Sequence, residues 1–164
     1  MQKQNRRYFL GGLAGAVAML GGCGFQLRQA PEFHFQRLWL GGTSEVLVFL
    51  RRELARVSSV KIVSNPAEAE VLLEIMSDVR RDFAVGQTPY GEVREIQMRS
   101  TLTFRLWAQG QDPLATEDEL EQYREYSYSE TQALAKGDEQ DLLFRDMSQS
   151  MAQLLLWRLA SMRP

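Results

Sequence analysis

Apolar residues recur along this chain with two different periods, and the switches between them mark out its elements. Residues 33–40 read as a strand. Phe33, Phe35 and Trp39 alternate on one side and Leu38 and Leu40 on the other, so burial on both faces is expected. Gly41-Gly42 breaks the strand. Thr43 or Ser44 can then cap a helix, because a short hydroxyl side chain accepts hydrogen bonds from first-turn amides. Leu47, Leu50, Leu54 and Val57 share one face of that helix, and Arg51, Arg52 and Arg56 lie mostly away from it. Residues 60–63 form a short strand that closes at Asn65-Pro66.

Period two takes over in residues 70–85. Val71, Leu73, Ile75, Val79, Phe83 and Val85 fall on one side, and Glu70, Glu74, Asp78, Arg80 and Asp82 on the other, which predicts one buried and one wet face. A turn rich in breakers, residues 86–91, leads into a second long strand over about 93–108. Its apolar side is Ile96, Met98, Leu102, Phe104 and Leu106; its polar side includes Gln97, Arg99, Thr101, Thr103 and Arg105. The short connection predicts an antiparallel hairpin. Residues 109–119 read as a polar loop that holds the acidic run Glu117-Asp118-Glu119, and residues 120–131 as a third long strand. Asp138 can cap the final helix, in which Phe144, Met147, Met151, Leu155, Leu159 and Met162 step by three or four.

Two amphipathic helices need one common apolar surface. The expected fold is therefore α+β, a two-layer α/β sandwich with both helices packed on one face of a mostly antiparallel four-stranded sheet. The opposite face is expected to be polar and uncovered.

Composition narrows the chemistry. The formal charge of −2 carries no basic surplus, so nucleic acid is not expected as a partner. One Cys (Cys23) and one His (His34) exclude an internal disulfide and a four-ligand Cys/His zinc site, and no metal site is expected. His34 has no second His, so no Ser-His or Cys-His pair can be built around another, and no glycine-rich phosphate loop occurs. Met147, Met151 and Met162 sit among Leu and Phe at helical spacing, which is core packing rather than a soft-metal site. A binding or assembly protein is expected, not an enzyme.

The first residues read as an address. Lys3, Arg6 and Arg7 precede an apolar run over residues 8–20, shorter than the ~20 residues a bilayer span needs and of signal-peptide length. Leu20-Gly21-Gly22-Cys23 resembles the lipobox of bacterial lipoproteins. That resemblance implies a signal peptide over residues 1–22 and a single domain over 23–164, with no cofactor beyond a covalent lipid anchor on Cys23. Residues 1–22 hold three of the nineteen bases and none of the twenty-one acids, which takes the formal charge of the remainder to −5. Asn5-Arg6-Arg7-Tyr8-Phe9-Leu10 also resembles a twin-arginine export signal, and ordinary signal-peptide charge explains it equally. Gly24 stands where an inner-membrane retention signal would carry Asp, so the lipoprotein sorting rule implies the periplasmic side of the outer membrane.

Cys23-Gly24-Phe25-Gln26-Leu27-Arg28 resembles the mature opening of the LptE family of lipopolysaccharide-assembly lipoproteins. Ala133-Leu134-Ala135-Lys136, followed by Glu139-Gln140-Asp141 and a long terminal helix, is a second match, and Glu95-Ile96-Gln97-Met98 a weaker third. The resemblance implies a plug inside the LptD outer-membrane β-barrel that binds lipopolysaccharide and requires no covalent chemistry. It makes Lys136 a candidate lipopolysaccharide contact, against its plain reading as a loop Lys balancing Asp138 and Glu139. Gln97, Arg99, Thr101, Thr103 and Arg105 become candidates for a polar face toward the barrel lumen. Ala84-Val85 precede the Gly-Gln-Thr turn where the family pattern leads us to expect a basic residue, so Arg80, Arg81 and Arg94 are the candidate substitutes. We find no counterpart of the family's long polar C-terminal tail and expect that tail to be dispensable. The competing expectation is a general lipoprotein that binds protein or peptidoglycan without lipopolysaccharide affinity.

Overall fold

The computed structural model describes residues 31–56, 59–129 and 133–164; the expected signal peptide and Cys23 lie outside them, as does Val57. The first strand, β1, is Arg37–Gly41. Phe33 and Phe35 precede it and do not share its alternation. They join Leu38 and Leu40 in the main core, while Trp39 points to the opposite face.

Helix α1 spans Glu45–Leu54, and Ser44 is its cap, accepting from the Val46 amide at 2.9 Å. Val46, Leu47, Leu50 and Leu54 form its buried face. Gly42, with φ of +84°, makes the turn from β1 into the cap. A side chain there would strike the Ile75 carbonyl, so only glycine fits. Strand β2 is Lys61–Val63 and ends at Asn65, whose side chain caps a short 3-10 turn over Pro66–Glu68.

Strands β3 (Val71–Gln87) and β4 (Val93–Ala108) form a long antiparallel hairpin, and β5 (Glu117–Ser127) continues the sheet. Helix α2 runs from Ala133 to Ser161, 29 residues or about 44 Å. It starts earlier than the sequence predicted, so Asp138 lies within the helix rather than at its cap, and Lys136 is in its first turn rather than in a loop.

The sheet has five strands, not four, in the order β2-β1-β3-β4-β5. It is mixed rather than mostly antiparallel: β1 pairs parallel with both β2 and β3, and the remaining two pairings are antiparallel. The parallel trio arises because α1 carries the chain over the sheet between β1 and β2, and a helical crossover returns it in the same direction. As expected, both helices pack on one face. Leu38, Leu73, Leu102 and Phe104 meet Leu50, Met151, Leu155 and Leu159 in that core.

The first irregularity in β3 decides which side chains of its middle stretch reach which face. Ile75 pairs with Phe104 and Ser77 with Thr103, so Met76 is an extra residue and the alternation of β3 changes phase there. Beyond the bulge, Asp78, Arg80 and Asp82 lie on the helix side, opposite Leu102, Ser100 and Met98. Val79 and Phe83 are consequently exposed on the open face, and Val85 is exposed at a second irregularity between Ala84 and Gly86. The expectation of one uniformly apolar and one uniformly polar face on β3 holds only up to Ile75.

Candidate functional site

The face opposite the helices is built by alternate residues of β3, β4 and β5. Gln97, Arg99, Thr101, Thr103 and Arg105 all lie on it, half-buried in one file along β4. Across β5 the file faces Glu125, Tyr123, Glu121, Glu119 and Glu117 in turn. The acidic run is thus part of a strand rather than a loop. Its strict alternation of Glu with other residues from 117 to 121 was the signal that could have placed it. Across β3 the file faces Phe83, Arg81, Val79, Ser77 and Glu74.

Arg105 and Arg99 on this face differ in how well their charges are paired. Near the bulge, Arg105 donates from Nε and Nη2 to Glu117 Oε2 at 3.1 and 2.8 Å, and its side chain is only 20% exposed. Ser77 Oγ and Thr103 Oγ1 are bonded at 3.1 Å. Around Arg99 the bonds loosen, although Gln97 Nε2 beyond it donates to Glu125 Oε1 at 2.8 Å. Arg99 Nη1 is 3.6 Å from Glu121, its Nη2 donates to Gln97 Oε1 at 3.3 Å, and its Nε is buried without a hydrogen-bond partner among the described residues. Its guanidinium carbon lies 5.2 Å from the ring centroid of Phe83, which is 40% exposed. A groove of about 360 Å³ follows this stretch, lined by Val79, Arg81, Phe83, Arg99, Glu119 and Glu121 among others. The face therefore mixes apolar and charged groups, which corrects the expectation of a purely polar surface.

At the other end of this face, Trp39 and Trp107 pack with Val63, Ala69 and Leu72. In the sheet, Val63, Trp39, Leu72 and Trp107 form one row across four strands. They make a small second core, independent of the helices.

The structure does not bring the four basic candidates to one place. Arg80 lies under the helices, where Nη2 bonds Glu45 Oε2 at 2.6 Å and Ser148 Oγ at 3.1 Å and the guanidinium covers Phe144. Arg81 is exposed on the open face, beside Arg99. Arg94 is exposed near the hairpin tip and bonds Glu92 at 2.6 Å. Lys136 belongs to the first turn of α2. His34 is exposed just ahead of β1. Among the described residues no cluster of His, Cys, Asp and Glu suits a metal ion, and no helix is long and apolar enough to cross a membrane.

A polar seam joins β3 to the helices. Ser44 donates to Asp78 Oδ2 at 2.7 Å, and Gln140 Nε2 donates to Asp82 Oδ2 at 2.7 Å. Partial burial pushes the Asp82 carboxyl above its usual range, and the Gln140 bond pulls it part of the way back. Burial also raises the Tyr126 phenol, followed by the negative charge of Asp82.

The LptE family profile, described as lipopolysaccharide assembly, matches residues 36–159, which includes every strand of the sheet and nearly all of α2. The chain belongs to the LptE family. A curated member, the LPS-assembly lipoprotein LptE of Pectobacterium atrosepticum, is 32% identical over 152 residues, covering 88% of this chain and 80% of its own. Among solved structures, lipoprotein B from Nitrosomonas europaea superposes with a TM-score of 0.70 at 25% identity, covering 84% of this chain and 91% of its own. The rare lipoprotein B of Shewanella oneidensis gives 0.67 at 26% identity, covering 77% and 95%. A minor lipoprotein from Acinetobacter baumannii, 18% identical with a TM-score of 0.62, shares the fold. The expected LptE resemblance is thus established. It places this chain among lipoproteins of lipopolysaccharide assembly and envelope biogenesis.

Proposed function

We propose that this LptE-family chain is an outer-membrane lipoprotein, anchored through Cys23 on the periplasmic side, that plugs an LptD-type β-barrel and binds lipopolysaccharide during its assembly into the outer leaflet. The observation that carries this reading is the open face of β3, β4 and β5. It presents a broad surface on which Arg105 and Glu117, Ser77 and Thr103, and Gln97 and Glu125 already satisfy one another. Such a surface can lie against a hydrated barrel wall without stranding charges, because its polar groups bring their own partners. The helices take the structural role on the other side.

In this reading Lys136, Arg81 and Arg94 supply cations to the phosphates of lipopolysaccharide, which need a few placed charges rather than a basic total. Arg80 stays with Glu45 and Ser148 and holds α1, α2 and β3 together. No catalytic residue is assigned.

Photo-cross-linkers placed at Arg105 and Glu117 of the full chain in cells test the lumen placement. An adduct with a large outer-membrane β-barrel is expected. A membrane-bound chain that cross-links to no barrel from either position overturns it. Cys23→Ala tests the anchor separately: it should leave the protein unprocessed and unanchored, and a processed, membrane-retained variant would refute lipidation at Cys23.

A further inference from the structure

Arg81 and Arg99 stand directly opposite each other on β3 and β4, both on the open face. Residues opposed in an antiparallel pair have Cβ atoms about 5 Å apart, and like charges there are destabilising. The neighbouring cations of the sheet, Arg80, Arg94, Arg105 and Arg124, each have a close acid. Arg105 has Glu117 at 2.8 Å, whereas the acid nearest Arg99 is Glu121 at 3.6 Å. Arg81 has no ion pair among the described residues. Both arginines line the same groove, whose other charged residues are Glu119 and Glu121 on β5. Those carboxylates are on the Arg99 side, so the Arg81 side keeps an excess of positive charge.

The remaining lining is chemically mixed. Phe83 and Val79 flank the two cations, Tyr123 beside Arg99 is 59% exposed, and Thr101 and Thr103 present hydroxyls. Two planar forks side by side, with rings and hydroxyls next to them, suit one ligand chemistry best. That ligand is a tetrahedral dianion, which accepts several N–H bonds at once, carried on a sugar whose faces stack on aromatics.

We propose that Arg81 and Arg99 form a phosphate subsite for a phosphorylated sugar headgroup on the open sheet face. The subsite deepens the lipopolysaccharide reading above and rests on it for the identity of the natural ligand. It lies in the loosely paired stretch around Arg99, apart from Lys136 in α2. The well-paired stretch near Arg105 is left to meet the barrel wall, and the Arg81–Arg99 groove is left open for a headgroup passing between plug and barrel. The repulsion between the two cations is relieved when the phosphate binds.

The full chain in detergent can be titrated with lipopolysaccharide, with phosphatase-treated lipopolysaccharide and with glucosamine 6-phosphate. Wild type should prefer the phosphorylated lipid. Arg81→Ala should weaken that binding by about tenfold and leave the dephosphorylated lipid unchanged. Arg81→Lys should recover part of the loss, because it restores the charge without the fork. Arg52→Ala, on the outer side of α1, should have no effect. Because Arg81→Ala removes a like-charge contact, it should be at least as stable as wild type, so a binding loss cannot be ascribed to unfolding. Equal phosphate preference in wild type and Arg81→Ala overturns the subsite while the lipopolysaccharide reading stands. Binding of glucosamine 6-phosphate that depends on Arg81, without lipopolysaccharide binding, keeps the subsite and overturns that reading. No binding of any probe overturns both.

Discussion

Ser44 Oγ donates a 2.7 Å hydrogen bond to Asp78 Oδ2 and accepts one from the Val46 amide, so a single hydroxyl starts α1 and fastens it to β3. Pairing of Asp78 with Leu102 puts it on the helix side, and the bulge at Met76 absorbs the one extra residue that this register requires. A local signal, the helix cap, thereby becomes a tertiary contact. Asp78 Oδ1 is meanwhile buried with no hydrogen-bond partner among the described residues.

Ser44→Ala should destabilise the fold by about 1–2 kcal/mol, the range for losing an N-cap. The loss should lie toward the upper end because Asp78 is stranded as well. Ser44→Thr should restore most of it. Urea unfolding of the three proteins provides the measurement. Near-identical midpoints for wild type and Ser44→Ala would contradict the link between cap and sheet.

Deleting Met76 should leave the fold intact. Ile75 and Ser77 would then pair with Phe104 and Thr103 as consecutive residues, and every side chain from Ser77 onward would keep its face. The coupling between Ser44 and Asp78, measured by a double-mutant cycle, should persist in the deletion. Its disappearance would show that the bulge sets the register rather than being accommodated by it.

Asp82 makes the pH dependence testable. Burial raises its folded pKa above the unfolded one, so it contributes stability that is fully present below the unfolded value and lost as pH rises through the folded value. Asp82→Asn keeps an acceptor for Gln140 and removes that titration. The variant should gain on wild type as pH rises from the usual carboxylate range toward neutrality, and the difference should then level off. Stability curves of both proteins against pH decide this, and a wild type that gains on the variant over that range would reverse the sign.

Lys136→Asp should weaken lipopolysaccharide binding more than it weakens assembly with the barrel. Binding titrations beside co-purification of the barrel separate the two, and equal lipopolysaccharide affinity in wild type and variant removes Lys136 from the site.

Much of this architecture is legible from residue order. The cap at Ser44, the Leu47-Leu50-Leu54 stripe, the β4 file from Gln97 to Arg105 and the Met147-Met151-Leu155-Leu159 stripe are all where their periods put them. Three features are not. The Met76 bulge is marked by neither Gly nor Pro, and both phases of β3 carry plausible apolar sets, so alternation cannot locate the slip. The partners of β2 are hidden because its three residues pair only through β1, which the chain reaches by way of a helix. The acid file on β5 reads as a loop because its charge density outweighs its alternation. In the candidate site, the polar β4 file was readable, but its meeting with Phe83 and Arg81 required the phase change in β3.

The position of β1 has a consequence for how the protein reaches its folded state. The strand lies between β2 and β3, both of which follow it in the chain. Synthesised from its amino end, the chain presents Leu38, Trp39 and Leu40 before either neighbour has emerged. That greasy strip must wait, unpaired, until residues beyond 71 arrive to enclose it. Maturation is therefore not sequential, and a holding factor that shields the leading strip during synthesis would protect it better than one acting on the finished sheet.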